Sequence, residues 1–207
     1  PIRRIFFHTP AAERKAAVAR LQKHYTTGSS LYEPLLALVE ECLPHEADGT
    51  FAAFGPRAVS AGNDPTGLDA AGEPLERSDV VHDLLAFLAE QMMALNKQKQ
   101  ALVRKALDGV AAETGLPVDD WKLKTKVQKF WQEPDSEWVR AMRDRGNVKR
   151  FTNTGKKSED KIVRNLSKAK EKLQPILEKI DDTDRLIDQI VYQLYGLTEE
   201  EIAIVEG

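Results

Sequence analysis

The longest uninterrupted helical pattern in the chain runs from Ser78 to Glu113. Its apolar residues return at steps of mostly three, four and seven, which places them along one side of a helix with 3.6 residues per turn. These residues are Val81, Leu84, Leu85, Leu88, Met92, Leu95, Leu102, Ala106 and Val110. Ser78 is expected to cap the start, and Gly115 with Pro117 to end the helix. The pattern predicts a rod about 50 Å long.

A second helical pattern of similar length runs from Ser158, its expected N-cap, to Tyr195, and Pro175 within it predicts a kink. Its apolar residues follow a ladder with a period of seven, which is typical of an antiparallel helical hairpin. The ladder consists of Ile162, Leu166, Ala169, Leu173, Leu177 and Ile180. We therefore predict an all-α fold, a long antiparallel helical hairpin with shorter helices packed on it.

The prediction is a single helical domain of five segments. Residues 1–43 form an N-terminal helical pair, and residues 44–77 are a flexible insert rich in Gly and Pro. Residues 78–115 are the first long helix, residues 116–157 are a basic segment of helix and loop, and residues 158–207 are the second long helix with a C-terminal cap.

Within these segments, the short helices have predicted caps and buried sides. The first is expected to begin at Thr9 as its N-cap and to bury Val18, Leu21 and Tyr25. Thr198 and Glu201 form a capping box for a last short helix. In the basic segment, a predicted helical face consists of Leu123, Val127, Phe130 and Trp131.

Charge is unevenly distributed in a chain whose net charge is only −3. Residues 121–172 hold sixteen Lys and Arg against seven Asp and Glu, and the remainder holds fourteen against twenty-six. A basic middle in an acidic protein indicates a polyanionic partner. The candidate phosphate-contacting residues are Lys122, Lys124, Lys126, Lys129, Arg140, Arg143, Arg145, Lys149, Arg150, Lys156 and Lys157.

Aromatic residues lie among these cations, and two interpretations of them stay open. The aromatic rings could stack on exposed bases while the cations release counterions from phosphates. Alternatively, the lysines only solvate helix faces and the aromatic rings form the core. The residues concerned are Trp121, Phe130, Trp131, Trp138 and Phe151.

No catalytic constellation appears in the sequence. The four histidines lack metal-ligand spacing, and the acidic residues at 181–188 lack the glycine and closing Glu of a calcium loop. A phosphate-binding P-loop needs Gly five residues before Gly155 and Ser or Thr directly after Lys156, but Arg150 and Lys157 stand there. We predict no metal, no cofactor and no catalytic residue in this chain. The single cysteine, Cys42, is expected to be buried and suits a reducing cytoplasm.

Three segments resemble bacterial adenine-specific DNA methyltransferases of type II (type IIG-like) restriction–modification systems. The tail Thr183–Ile202, with its Asp-x-x-Val-Tyr-x-Leu-Tyr-Gly-Leu-Thr-Glu-Glu-Glu pattern, resembles their C-terminal end. Phe7–Arg14 resembles the segment after their target-recognition region, and Asp83–Met92 with Leu95–Lys97 resembles the following helix.

The resemblance implies a bacterial cytoplasmic protein that acts with DNA. The S-adenosylmethionine-binding glycine motif and the Asn-Pro-Pro-Tyr motif of the family do not occur in this chain. The chain is therefore expected to be the C-terminal helical part of such an enzyme, or a separate subunit. S-adenosylmethionine, and Mg²⁺ where cleavage occurs, would belong to the parent enzyme.

We expect double-stranded DNA as the partner, beside a methyltransferase domain or subunit. The alternative is a structural module that docks the methyltransferase part or forms a homodimer without touching DNA. A third hypothesis is an enzyme with an unrecognised site. No apolar run approaches the length of a membrane span.

Overall fold

The structure is a computed structural model that describes residues 9–27, 32–42, 77–152, 155–195 and 197–207. All regular structure in these ranges is helical, without a strand, which confirms the all-α prediction. Residues 1–8 lie outside the described residues, and so does the Gly- and Pro-rich insert at 44–77 apart from Arg77. No described helix combines the length and the apolar character that crossing a membrane requires.

Eight α-helices can be traced along the described ranges, with a single 3-10 turn at Val118–Asp120. They are α1 (Ala11–Thr27), α2 (Tyr32–Cys42), α3 (Ser78–Thr114), α4 (Lys124–Gln128), α5 (Asp135–Met142), α6 (Arg145–Val148), α7 (Lys156–Tyr195) and α8 (Glu199–Glu206). The two long helices, α3 and α7, lie within two residues of their predicted ends. Pro175 is inside α7.

The chain divides into two compact units. The first consists of residues 1–91 and 183–207, and the second consists of residues 92–182. Each long helix therefore supplies one part of its length to each unit. Since every tryptophan of the chain lies between residues 121 and 138, all three belong to the second unit.

The core of the first unit joins α1, α2, the start of α3 and the end of α7. Leu84 and Leu88 of α3 share a buried cluster with Leu186 and Ile190 of α7. The other members are Leu21, Tyr25, Leu35, Val39, Cys42, Val80 and Val81. The prediction that Cys42 is buried is confirmed, and Tyr25 also bonds Thr183 through its hydroxyl at 2.8 Å.

The core of the second unit joins the end of α3 to the start of α7 and to the helices between them. Val110 of α3 clusters with Ile162, Leu166 and Leu173 of α7. The segment between the long helices contributes Val118, Trp121, Val127, Phe130, Trp138, Ala141 and Met142. Because the start of α3 meets the end of α7 in one unit, and its end meets the start of α7 in the other, the predicted antiparallel pairing is confirmed.

Three predicted N-caps differ from the structure. The hydroxyl and backbone N–H of Thr9 donate to the buried carboxylate of Asp79, both at 2.8 Å, and α1 begins only at Ala11, so that Pro10 stands directly before it. The buried hydroxyl of Ser78 bonds no described group. Ser158 lies inside the first turn of α7, since its N–H donates to the carbonyl of Gly155. A tertiary contact holds Thr9, and an earlier helix start places Ser158 inside α7.

Two other helix ends match their predictions. Gly115 ends α3 at a φ of +69°, the left-handed conformation that favours glycine. The backbone N–H of Thr152 donates to the carbonyl of Thr114 at 2.9 Å, which satisfies one of the last carbonyls of α3. Thr198 and Glu201 form the predicted capping box of α8.

Candidate nucleic-acid interface

The aromatic residues of the basic segment build the core of the second unit. Trp121, Phe130 and Trp138 are buried, which leaves none of these three rings free to stack on a base. Trp121 also donates its indole N–H to the carbonyl of Leu116 at 3.1 Å. Trp131 is half-buried, with the ammonium of Lys99 over its ring at 5.9 Å from the centroid. The core interpretation is therefore confirmed for Trp121, Phe130 and Trp138.

The predicted helical face of residues 116–131 is wrong at Leu123. This residue precedes the short helix α4, and its φ of +59° is in the left-handed region. Its side chain is 48% exposed, whereas Val127 and Phe130 are buried as predicted. The chain changes direction at Leu123, because Trp121 and Lys122 on one side are held by the core and by Asn147.

Asn147 holds the basic segment together. Its buried side-chain amide accepts from the backbone N–H of Lys122 at 2.7 Å and donates to the carbonyl of Lys122 at 2.9 Å. The same amide donates to the carbonyl of Ala141, the end of α5, at 2.8 Å. This clamp joins two stretches 25 residues apart in sequence. It positions Lys122 beside α6.

The side chain of Lys122 extends across α6 at Gly146. A Cβ at Gly146 would lie 2.8 Å from Cε of Lys122, closer than real side chains pack. Glycine at this position therefore lets the alkyl stem of Lys122 approach the backbone closely. Such a packed stem orders the chain of a lysine while its ammonium group stays in solvent.

Four of the candidate cations have clear partners within the chain. Lys126 lies 2.9 Å from Glu133. Arg143 donates from Nε to Glu159 at 3.0 Å. Lys124 and Arg150 donate to the backbone carbonyls of Asp119, at 3.1 Å, and Asp120, at 2.6 Å.

A fifth candidate, Arg140, has a weaker ion pair with Glu137 at 3.9 Å. The closer pairs, with Glu133 and Glu159, also shift the pKa of their cations. The hydrogen bond to Glu133 raises the pKa of Lys126, and the hydrogen bond to Glu159 raises the pKa of Arg143. These five cations already have an electronegative neighbour, so a phosphate would have to compete for them.

The remaining candidates are exposed, and their side chains form no hydrogen bond or ion pair with any residue that the structure describes. They are Lys122, Lys129, Arg145, Lys149, Lys156 and Lys157. Three of them flank the Asn147 clamp in α6 and its neighbours, and two begin α7. The structure thus divides the predicted set into cations that interact with groups of this chain and cations that are available to a partner.

Further cations continue along the first half of α7, beyond the predicted set. Lys161, Arg164, Lys168 and Lys172 are all exposed, and Lys161 pairs with Glu113 of α3. Their spacing of three and four residues was the signal in the sequence that could have identified them. The candidate set stopped at Lys157 because it followed the loop and not the helix.

The charge of the two units is opposite in sign. The second unit has 21 Lys and Arg against 14 Asp and Glu, a net charge of +7. The first unit has 9 against 19, a net charge of −10. A polyanion would therefore be attracted to the second unit and repelled by the first.

A small cavity of about 210 Å³ lies in the second unit. Met142, Phe151 and Ile162 contribute its apolar wall, and Arg143 with Glu159 stands at its edge. Because that arginine and that glutamate neutralise each other, the cavity presents no free charge to a ligand. Among the residues that the structure describes, no group of three or more His, Cys, Asp or Glu is placed to hold a metal ion.

Comparison with known proteins gives one result. A family model described as a domain of unknown function (DUF8810) matches residues 79–191, more than half of the chain. The matched region begins in the first turn of α3 and ends near the end of α7. Neither the curated proteins nor the solved structures contain a match to the chain.

Proposed function

The chain belongs to the family described as a domain of unknown function (DUF8810), and we propose that its second unit binds duplex DNA through the phosphates. In this proposal the chain is a helical module of a bacterial restriction–modification enzyme. It positions the enzyme on DNA, and the methyl-transfer chemistry belongs to another domain or subunit.

The observation that carries the proposal is the set of exposed cations whose side chains have no described partner, in a unit of charge +7. A cation that has no partner in the chain contributes fully when it neutralises a phosphate and releases a counterion. If all six unpartnered candidates made such contacts, the logarithm of affinity would fall with the logarithm of salt with a slope of about −5. Phosphate contacts of this kind position a protein and carry no base sequence.

The restriction–modification context rests on the resemblance of the tail and of the two shorter segments. The tail at Thr183–Ile202 is in the first unit, apart in sequence from the basic segment. The tail therefore supports the kind of enzyme, and the cations of the second unit support the contact with DNA. The two supports are independent of each other.

The experiment is a titration of the whole chain with a duplex of mixed sequence at several salt concentrations. The test variant replaces Arg145→Gln and Lys149→Gln. The matched control replaces Lys15→Gln and Arg20→Gln in α1, which are likewise exposed and without a described partner. Each pair removes one arginine and one lysine, so the net charge of the two variants is the same.

The quantity compared is the slope of the logarithm of affinity against the logarithm of salt concentration, called the salt slope. We expect the salt slope of the test variant to be less steep by about 1.8, the value for two lost phosphate contacts, and that of the control to remain unchanged. Absence of wild-type binding at about 50 mM salt would refute the proposal, since non-specific DNA binding is strongest there. If both variants bind DNA with the same salt slope, the contact does not lie at α6.

The alternative is a docking module that never touches DNA, and α8 favours it. Ile204 and Val205 of α8 are 79% and 63% exposed. Most of the apolar residues of α3 and α7 are already engaged in the two cores. A docking surface would therefore be sought on α8. Replacing Ile204→Ser and Val205→Ser tests this alternative, which predicts loss of self-association or of binding to a purified methyltransferase subunit.

A further inference from the structure

The cations along the first half of α7 lie on one face of the helix. Lys157, Lys161, Arg164, Lys168 and Lys172 follow one another at steps of four, three, four and four. At 3.6 residues per turn, all five fall within an arc of about 80°. The row from first to last is about 22 Å long, at 1.5 Å per residue.

This face is directed away from the core of the second unit. The buried residues of the same stretch, Ile162, Leu166 and Leu173, are centred about 140° round the helix from the row, by the same helical geometry. Because the opposite side of α7 is packed in the core, the row is held on a fixed support. It is not a mobile tail whose charges could rearrange.

Intrachain partners are distributed selectively among the cations of α7. Lys170, on another side of the helix, is paired with Asp135 at 3.8 Å and donates to the carbonyl of Glu133 at 3.0 Å. Within the row, Lys161 is paired with Glu113 of α3. The side chains of the other four members, Lys157, Arg164, Lys168 and Lys172, form no hydrogen bond or ion pair with a described residue.

Like charges are neighbours along the row. Like charges three or four residues apart on a helix repel each other and destabilise it. Four such neighbouring pairs occur in the row, while Asp160, three residues from Lys157 and four from Arg164, and Glu171, three from Lys168, offset part of the repulsion. An external polyanion would neutralise the repulsion that remains.

We propose that this face of α7, from Lys157 to Lys172, lies against the sugar–phosphate surface of the DNA duplex. The inference rests on the proposed function. A single phosphate group could engage only one or two members of a row 22 Å long, about six base pairs of duplex rise. An extended polyanion is the partner whose charge matches its length.

The experiment adds a third variant, Arg164→Gln with Lys168→Gln, to the titration described above. It removes the same charges as the α1 control, again from exposed helical positions without a described partner. We expect the salt slope to decrease by about 1.8, so that the loss of affinity between about 50 and 200 mM salt becomes about 12-fold smaller than in the wild type. The α1 control should keep the wild-type slope.

Thermal unfolding shows whether a loss of binding is a loss of fold. Because the variant removes like-charge neighbours as well as the opposite-charge pairs with Asp160 and Glu171, it should melt close to the α1 control. A slope equal to that of the control would overturn the inference and leave the proposed function intact, provided that the α6 variant weakens binding. Absence of binding by the wild-type chain would refute the proposed function itself.

Discussion

The structure makes Asn147→Ala the most informative single substitution in the second unit. The side-chain amide of Asn147 is fully buried and forms three hydrogen bonds, two with the backbone of Lys122 and one with the carbonyl of Ala141. No apolar contact is needed to explain why this side chain is present. Truncation removes all three bonds without adding bulk.

The magnitude follows from those bonds. A hydrogen bond in a protein contributes about 1 kcal/mol net, and a buried group left without a partner costs about 1 to 3 kcal/mol. Lys122 is exposed, so water can reach part of its backbone and reduce the cost. The carbonyl of Ala141 keeps a second bond, from the backbone N–H of Asp144 at 3.3 Å. We therefore expect the second unit to lose about 3 kcal/mol of unfolding free energy.

Tryptophan fluorescence during urea unfolding is the assay, because all three tryptophans lie in the second unit. Circular dichroism follows the helices of both units at the same time. If the clamp acts locally, the urea midpoint of the fluorescence change should fall. The midpoint of the part of the circular dichroism change that belongs to the first unit should fall less.

The matched control is Asn165→Ala on the exposed side of α7. Because alanine is the better helix former, this substitution should be neutral or stabilise by a few tenths of a kcal/mol. The reasoning would be refuted if Asn147→Ala changed the fluorescence midpoint no more than Asn165→Ala does. A functional consequence is also expected: DNA affinity at low salt should fall, since Lys122 loses its fixed position.

Two further substitutions test a helix end in the second unit and a shifted carboxyl group in the first. Gly115→Ala should lower the unfolding free energy of the second unit by about 2 kcal/mol or more, because its Cβ would overlap the side chain of Thr152. The left-handed backbone accounts for about 1–2 kcal/mol of this loss. A double-mutant cycle with Thr152→Ala should recover part of the loss, and strict additivity would contradict the overlap. In the first unit, burial chiefly, with Asp184 and Glu206, raises the pKa of Asp188, so its ionised form opposes folding. Asp188→Asn should therefore stabilise the chain at about pH 7, and the gain should shrink as the pH falls through the raised pKa towards the unfolded value of about 3.9. Circular dichroism measures the stability of the variant across this pH range. A gain in stability that stays constant over the range would exclude the titration of Asp188 as its cause.

The long helices could be predicted from the sequence because their information is local. An apolar residue every three or four positions, over 37 residues in α3 and 40 in α7, admits a helix and little else. Gly115 could be predicted as an end for a similar reason, since its left-handed backbone and the following Pro117 act on their own neighbours. Two helices of matching length also implied the antiparallel pairing.

The short elements of the basic segment could not be predicted in the same way. Leu123 has the spacing of a buried helical residue with Val127 and Phe130, yet its side chain is exposed. The pattern assumed that one helix continues through this stretch. Asn147, 25 residues away, holds Lys122 in a turn that prevents it. A stretch this short has too few internal hydrogen bonds to resist such a contact.

The candidate site shows the same division. Composition and order along the chain determined that residues 121–172 are basic, and helical spacing could have determined that the cations of α7 share a face. Only the tertiary structure decided which cations are paired. Arg143 meets Glu159 across 16 residues, and Arg150 meets the carbonyl of Asp120 across 30. Periodicity describes neighbours on one helix, whereas an ion pair depends on the distance between helices, and that distance is set by the packing of the core.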